Sequence, residues 1–237
     1  MRASISVCMA TYNGAGYIRE QLSSILMQLE SDDEIIVSDD GSTDNTKQIV
    51  DSLNDARIKW VVNKGEHGYT PNFENALNHA TKDIIILSDQ DDVWKENKVA
   101  TIIEVLSCND FVVHDAIITD QNLNIKHHSY FENRKIYETL IGNFFKFGFL
   151  GCCMAFKRKI LDKALPFPKN HKLCTHDNWL FLIGMTFYKL AIIHDPLILY
   201  RRHERNTSTG GDKNDIRIGF MIKYRLYLLK NLISRRK

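Results

Sequence analysis

Residues 84–94 of this 237-residue chain read Ile-Ile-Ile-Leu-Ser-Asp-Gln-Asp-Asp-Val-Trp, an apolar run that ends in three carboxylates within four positions, Asp89, Asp91 and Asp92. Residues 83–88 predict a strand buried on both faces, as in a parallel sheet. Open α/β sheets bind ligands at the carboxyl ends of their strands, and the carboxylates stand at that end. Asp89 and Asp91 are two positions apart, so in an extended segment they share a face. Hard oxygen donors of this kind suit Mg2+ or Mn2+, which bridge carboxylates to substrate phosphates. The competing reading is a solvated acidic turn in which Asp92 caps a helix beginning near Lys95. It leaves unexplained why three carboxylates close the most hydrophobic strand of the chain. An EF-hand starting at Asp89 is excluded, because it needs Gly where Trp94 stands and Glu where Ala100 stands.

The segments before this stretch repeat one order. Strands are expected over residues 4–11, 34–38 and 58–63, and helices over 17–29, 45–53 and 71–79. A further helix is expected over 95–106. Strand–helix four times predicts an α/β domain with a mostly parallel central sheet flanked by helices, Rossmann-like in layout. The first strand ends in Thr11, Tyr12 and Asn13 at a Gly-rich turn, and the second in Asp39 and Asp40. Three polar strand ends on one edge describe a nucleotide crevice. Neither Gly-x-Gly-x-x-Gly nor Gly-x4-Gly-Lys-Ser/Thr occurs.

The second half is less regular. Strands are expected at 111–119, 151–156, 189–194 and 197–203, and helices at 136–145, 157–165 and 175–187. A last helix is expected over 215–234, after a Gly- and Ser-containing loop, 205–214, that is a candidate lid. Residues 201–237 hold 11 Lys/Arg against 3 Asp/Glu, a net +8, which leaves −6 on the rest of the chain. An acidic body argues against nucleic-acid binding. Ile218, Ile222, Leu226, Leu229 and Ile233 form a helical stripe flanked by Arg217, Lys223, Arg225 and Lys230. That helix can dock on the body, join a second subunit, or lie on a membrane surface. The five cysteines show no disulfide framework, and no secretory signal or run of 18 apolar residues is present. The expected location is cytoplasmic, with peripheral contact at the inner face of the membrane through the last helix.

Asp177, before Trp179, reads on its own as an N-cap. His171, Cys174, His176, Cys152 and Cys153 match no common zinc spacing. Arg201 and Arg202 follow a strand near the expected ligand edge and read equally as diphosphate contacts or as a solvated rim.

Six pieces occur in a fixed order: Ser6-Val7-Cys8-Met9-Ala10-Thr11-Tyr12-Asn13-Gly14, Val37-Ser38-Asp39-Asp40-Gly41-Ser42-Thr43-Asp44, Asn63-Lys64-Gly65, Ser88-Asp89-Gln90-Asp91-Asp92-Val93-Trp94, His176-Asp177-Asn178-Trp179 and Tyr200-Arg201-Arg202-His203. In these the chain resembles the family-2 glycosyltransferases of the GT-A fold over residues 4–205. The wording of the acidic piece is most similar to bacterial enzymes of O-antigen or capsule synthesis, rhamnosyltransferase-like members included. The resemblance implies a UDP- or dTDP-linked sugar donor held by Thr11, Tyr12, Asn13, Asp39, Asp40 and Lys64. It implies an Asp-x-Asp motif at Asp89-Gln90-Asp91, with Asp91 a direct ligand of Mn2+ or Mg2+ and Asp89 on ribose or metal. It makes His203 an additional metal ligand and Asp177 the base of an inverting transfer to a saccharide or lipid-linked saccharide. It divides the chain into a nucleotide-sugar half (1–110), an acceptor half (111–205) and a terminal loop and helix (206–237). The alternatives are a sugar-nucleotide nucleotidyltransferase, which would want Arg and Lys in the loop after the first strand, and a non-catalytic nucleotide- or carbohydrate-binding module.

Overall fold

The computed structural model describes residues 2–204 and 218–236. The expected lid, 205–214, and the start of the last helix lie outside the described residues. The first half runs β1 (Ile5–Thr11), α1 (Ile18–Leu26), β2 (Glu34–Asp39), α2 (Thr46–Asp51), β3 (Ile58–Val62), α3 (Tyr69–His79), β4 (Ile84–Asp89), β5 (Val93–Trp94) and α4 (Lys98–Cys108). The second half runs β6 (Phe111–Thr119), β7 (Ile125–His127), α5 (Tyr130–Arg134), α6 (Leu140–Phe145), β8 (Met154–Lys157), α7 (Leu161–Ala164), α8 (His176–Phe187), β9 (Leu190–Arg201) and α9 (Ile218–Ser234). Tight 3-10 turns at Gly151–Cys153 and Arg158–Ile160 flank β8.

The strands form one sheet in the order β3-β2-β1-β4-β8-β6-β9-β5, with β7 paired to β6. The strands β1 to β4 are mutually parallel. The side chains of β1, β2 and β4 are buried on both faces, as the unbroken apolar runs require: Ile35, Ile36 and Val37 of β2 and Ile85, Ile86 and Leu87 of β4 are all fully buried, whereas the edge strand β3 stays partly exposed. Between β3 and β4 the chain crosses from one side of β1 to the other, which opens a crevice at the carboxyl ends of β1, β2 and β4. At the opposite end Glu34 ties the strands together. Its buried carboxylate accepts from the Ser6 hydroxyl, the Lys59 ammonium and the Thr81 amide. Burial alone would raise its pKa, but these hydrogen bonds outweigh it and hold the group at about 2.

The second half departs from the expected elements in instructive ways. The two strands expected over 189–194 and 197–203 are one continuous strand, β9 (Leu190–Arg201). Strand β9 lies parallel to β6, and its register slips so that Asp115 faces Pro196, which places the proline at a bulge where a missing N–H is tolerated. Val93 and Trp94 pair antiparallel with Leu199 and Ile198. That long-range pairing delays the following helix to Lys98. Helix α8 is apolar on all sides, and Asn178 through Gly184 are buried. A Cβ on Gly184 would stand 2.7 Å from the Phe111 ring, so only glycine allows this helix to approach β6.

The last helix docks on the body, but not through the expected stripe. Leu228 is buried, and Tyr224, Tyr227 and Leu232 pack on the core. The Tyr227 hydroxyl accepts from the Asn170 amide at 2.9 Å, and the Arg235 guanidinium donates to the Leu165 carbonyl at 3.0 Å. Ile222, Leu226, Leu229 and Ile233 face outward, 43–62% exposed. The tyrosine face wins because its hydroxyls satisfy body polar groups while its rings bury apolar area. Among the described residues no helix is long and apolar enough to cross a membrane.

Candidate active site

The parallel register brings the expected residues to one edge. Thr11 pairs with Asp39 and Ala10 with Asp89. The loops beyond are fastened to one another. Asp39 accepts from the Gly41 and Ser42 amides at 3.1 and 3.0 Å, and Gly41 adopts φ +86°, the left-handed region that suits glycine. Asp40 accepts from the Asn63 side chain at 2.7 Å and the Gly68 amide at 2.8 Å. The Asn13 side chain accepts from the Thr43 amide at 2.8 Å. The Tyr12 ring, by contrast, is 55% exposed above this knitted floor, and Lys64 is exposed in the loop after β3.

Gln90 has a framework task. Its Oε1 accepts from the Thr11 hydroxyl at 2.6 Å and the Tyr12 amide at 3.0 Å, and its Nε2 donates to the Tyr12 carbonyl at 3.1 Å. The side chain thus braces the β1 loop against the acidic loop. A Cβ on Gly14 would fall 2.3 Å from Gln90 Oε1, which explains the glycine there.

The three acidic residues divide between two environments. Asp92 is buried and accepts the Arg201 backbone amide at 3.1 Å. It is not the helix cap expected from sequence: α4 starts at Lys98 behind Asn97, and β9 has drawn Asp92 inward. Donor atoms of Asp89, Asp92 and Cys152 lie within 4.8 Å of one another. The fully buried Lys98 supplies positive charge there, its Nζ donating to the Cys152 carbonyl at 3.0 Å and lying 4.4 Å over the Trp94 ring. Burial lowers the Lys98 pKa to about 8 against the pull of its anionic neighbours.

Asp91 faces the other way. Its Oδ2 lies 2.9 Å from His203 Nε2. Burial, and next the charge of Asp91, raise the Asp89 carboxyl to about 7. Burial and the same neighbours raise Asp92 well above the carboxylate range. Crowded carboxylates whose ionisation is opposed, beside an imidazole, are a donor set that a divalent cation would relieve. Asp91 and His203, with Asp89 between them and the inner Asp92–Cys152 cluster, are the side chains that would suit Mn2+ or Mg2+, and the Lys98 charge reaches only as far as Asp89 and Asp92.

Arg201 is nearly fully buried, and its guanidinium is engaged by the protein. Its Nε donates to the Asp91 carbonyl at 2.8 Å, one terminal nitrogen to the Gln121 carbonyl at 2.7 Å, and the other pairs with Glu20. This position holds the acidic loop from behind. Arg202 lies over the Tyr200 ring, 5.9 Å from its centroid.

Asp177 stands in the first turn of α8, behind Thr175 at the N-cap position, and its Oδ1 accepts the Asn178 amide at 2.7 Å. The Gly151–Cys153 turn lies between it and the acidic loop. A Cβ on Gly151 would come 2.6 Å from His176 Nε2 and 3.4 Å from the Asp177 Cβ. The Asp177 charge reaches Asp89 on one side and Tyr69, Tyr130 and Tyr224 around it. His176 stacks on Phe73 at 4.1 Å and burial lowers its pKa against the charge of Asp177, a packing role rather than a ligand's. Asp115 is buried and accepts from the Phe131 amide and the Ser129 hydroxyl within the fold. Sequence reading missed Tyr17, Lys98 and Tyr224. Lys98 was legible in part, since it follows Trp94 by four positions, but nothing local marks the other two.

The model of the glycosyl transferase family 2 matches residues 6–165. The chain is 33% identical over 244 residues to the dTDP-rhamnosyl transferase RfbG of Shigella flexneri, covering 94% of this chain and 79% of that protein. It is 29% identical over 214 residues to an uncharacterized glycosyltransferase of Nostoc sp., covering 85% of this chain and 66% of the relative's length. An Escherichia coli UDP-Glc:alpha-D-GlcNAc-diphosphoundecaprenol beta-1,3-glucosyltransferase is 34% identical over 105 residues, 44% of this chain and 42% of its own. Among solved structures, S. aureus TarS with UDP-GlcNAc superposes with a TM-score of 0.70 at 17% identity, over 98% of this chain and 73% of TarS. The Pyrobaculum calidifontis mannosyltransferase with GDP-Man and Mn2+ gives 0.64 at 24% identity, over 86% and 59%. These likenesses show the GT-A fold.

The raised Asp89 pKa makes a signed prediction for metal-free protein. Between the ordinary carboxylate range and about pH 7 the folded state holds a proton that the unfolded state has released. Stability therefore falls as pH rises through this window. Asp89→Asn should melt higher than wild type at pH 8, with the difference shrinking toward pH 4. A difference independent of pH would show that neither burial nor the Asp91 charge opposes ionisation of Asp89.

Proposed function

The chain belongs to glycosyl transferase family 2, and from that membership we propose that it transfers a sugar from a nucleoside-diphosphate sugar to a saccharide hydroxyl, with inversion at C1 and a divalent cation. The observation that supports the reading is that the Gly151–Cys153 turn lies between Asp177 and Asp89 and that the Asp177 charge reaches Asp89. Two carboxylates suited to a cation on one side and a separate carboxylate on the other are what this chemistry requires.

Thr11, Asp39, Asp40 and Asn13 shape the donor floor, and the exposed Tyr12 ring offers a face for the nucleotide base. Asp91 and His203, with Asp89 beside them, would hold Mn2+ or Mg2+. When bound, the ion supplies charge to stabilise the departing diphosphate. Asp177 accepts the proton of the acceptor hydroxyl as that oxygen forms a bond to C1. The C1–O bond to the diphosphate breaks, and the leaving oxygen takes the electron pair. Attack from the face opposite the leaving group inverts C1, and no covalent enzyme intermediate is needed.

The extended match to a dTDP-rhamnosyl transferase supports a deoxyhexose donor such as dTDP-rhamnose, and the shorter match to a diphosphoundecaprenol glucosyltransferase supports a lipid-linked saccharide acceptor. Both point to polysaccharide synthesis. Asp177→Asn keeps the shape of the side chain. It should fold, bind nucleotide and Mn2+ normally, and lose about 10²–10⁴-fold in transfer from dTDP-rhamnose or a UDP-sugar to an octyl glycoside. Transfer at the wild-type rate would remove Asp177 from the mechanism. Release of pyrophosphate instead of nucleoside diphosphate would favour a nucleotidyltransferase.

The outward stripe Ile222, Leu226, Leu229 and Ile233, beside the exposed Lys223 and Lys230, supports peripheral contact with an anionic membrane. Leu226→Glu with Leu229→Glu should abolish low-salt binding to phosphatidylglycerol vesicles and leave the helix docked. A wild-type protein that ignores such vesicles would end this reading.

A further inference from the structure

The segment that follows β9 carries His203 to the acidic loop, yet it is held by a residue from the other end of the chain. The Tyr17 ring, at the N-cap of α1, stacks on the His203 imidazole with centroids 4.7 Å apart and planes at 17°. The Arg201 guanidinium carbon lies 4.9 Å from the centroid of the same ring. One turn further along α1, Glu20 pairs with Arg201. Arg201 and His203 in turn hold Asp91 twice, through its carbonyl at 2.8 Å and its carboxylate at 2.9 Å. The first turn of α1 is thus a cradle, and Tyr17 is the one side chain in it that touches both residues gripping Asp91.

We propose that Tyr17 is a positioning residue for divalent-cation binding, its ring fixing the plane of His203 so that Nε2 is presented at Asp91. The proposal rests on the metal-dependent reading above. An imidazole free to rotate would lose conformational entropy on ligation, and a stacked one has already lost it. Partners that orient a metal ligand typically affect metal affinity 10–100-fold. The ring does this work and the hydroxyl does not, since the contacts to His203 and Arg201 are made by the aromatic face. Phenylalanine should therefore substitute for it.

The test is Mn2+ affinity, read by electron paramagnetic resonance of free Mn2+ with dTDP present and, separately, UDP. Tyr17→Leu and His203→Ala should each bind about tenfold more weakly, and Tyr17→Phe as wild type. The double variant Tyr17→Leu/His203→Ala should be no weaker than His203→Ala alone, because Tyr17 acts through His203. Wild-type affinity in Tyr17→Leu, an equal loss in Tyr17→Phe, or losses that multiply in the double variant would each overturn the proposal. A wild-type protein that binds no Mn2+ with either nucleotide would instead overturn the metal-dependent reading, and the proposal with it. Proton NMR of the wild-type histidines keeps the idea falsifiable if Tyr17→Leu does not fold. The His203 ring protons, assigned by their absence in His203→Ala, should show an upfield ring-current shift, and unshifted resonances would contradict the stack.

Discussion

Like-charge crowding at the end of β4 is the constraint on which the rest of this site depends. Asp89, Asp91 and Asp92 could not be held together without compensation. The fold supplies it from two sides. Behind the loop, the buried Lys98 faces Asp92, and Arg201 binds the Asp92 carboxylate through its backbone amide and the Asp91 carbonyl through its guanidinium. In front, Asp91 pairs with His203 at 2.9 Å, and Asp89 stands between this pair and the Lys98 side. The asymmetry separates Asp92, held from behind, from Asp91, which turns to His203.

Much of the neighbouring sequence serves this arrangement. Pairing of β5 with β9 carries Arg201 and His203 to the loop. Gln90 locks the acidic loop to the β1 turn, and Gly14 makes room for it. The Gly151–Cys153 turn brings α8 close enough for Asp177 to sense Asp89. Helix α9 closes the far side, where the Tyr224 hydroxyl accepts from the Asn178 side chain beside Asp177.

The parallel half of the sheet was legible because its signals are local. Unbroken apolar runs ending in polar residues dictate buried strands with a ligand edge, and the register bears this out at Thr11, Asp39 and Asp89. What local reading could not supply was pairing at a distance. Asp92 looked like a cap because nothing near it in sequence announces β9. The last helix carries two apolar stripes, and only the body decides that the tyrosine face is the one to bury. The framework contacts of Gln90 and Arg201 were not legible because their partners lie 78 or more residues away. Tyr17 carries no signal of its own, since its role exists only once residue 203 has returned to α1.

Anomalous diffraction at the manganese edge, from crystals grown with Mn2+ and dTDP or UDP, tests the division between inner and outer acids most directly. The account predicts one anomalous peak in ligand contact with Asp91 and His203, with Asp89 beside it and Lys98 still on the Cys152 carbonyl. A peak centred on Asp89, Asp92 and Cys152 with Asp91 turned away, or no peak in crystals that hold the nucleotide, would contradict it.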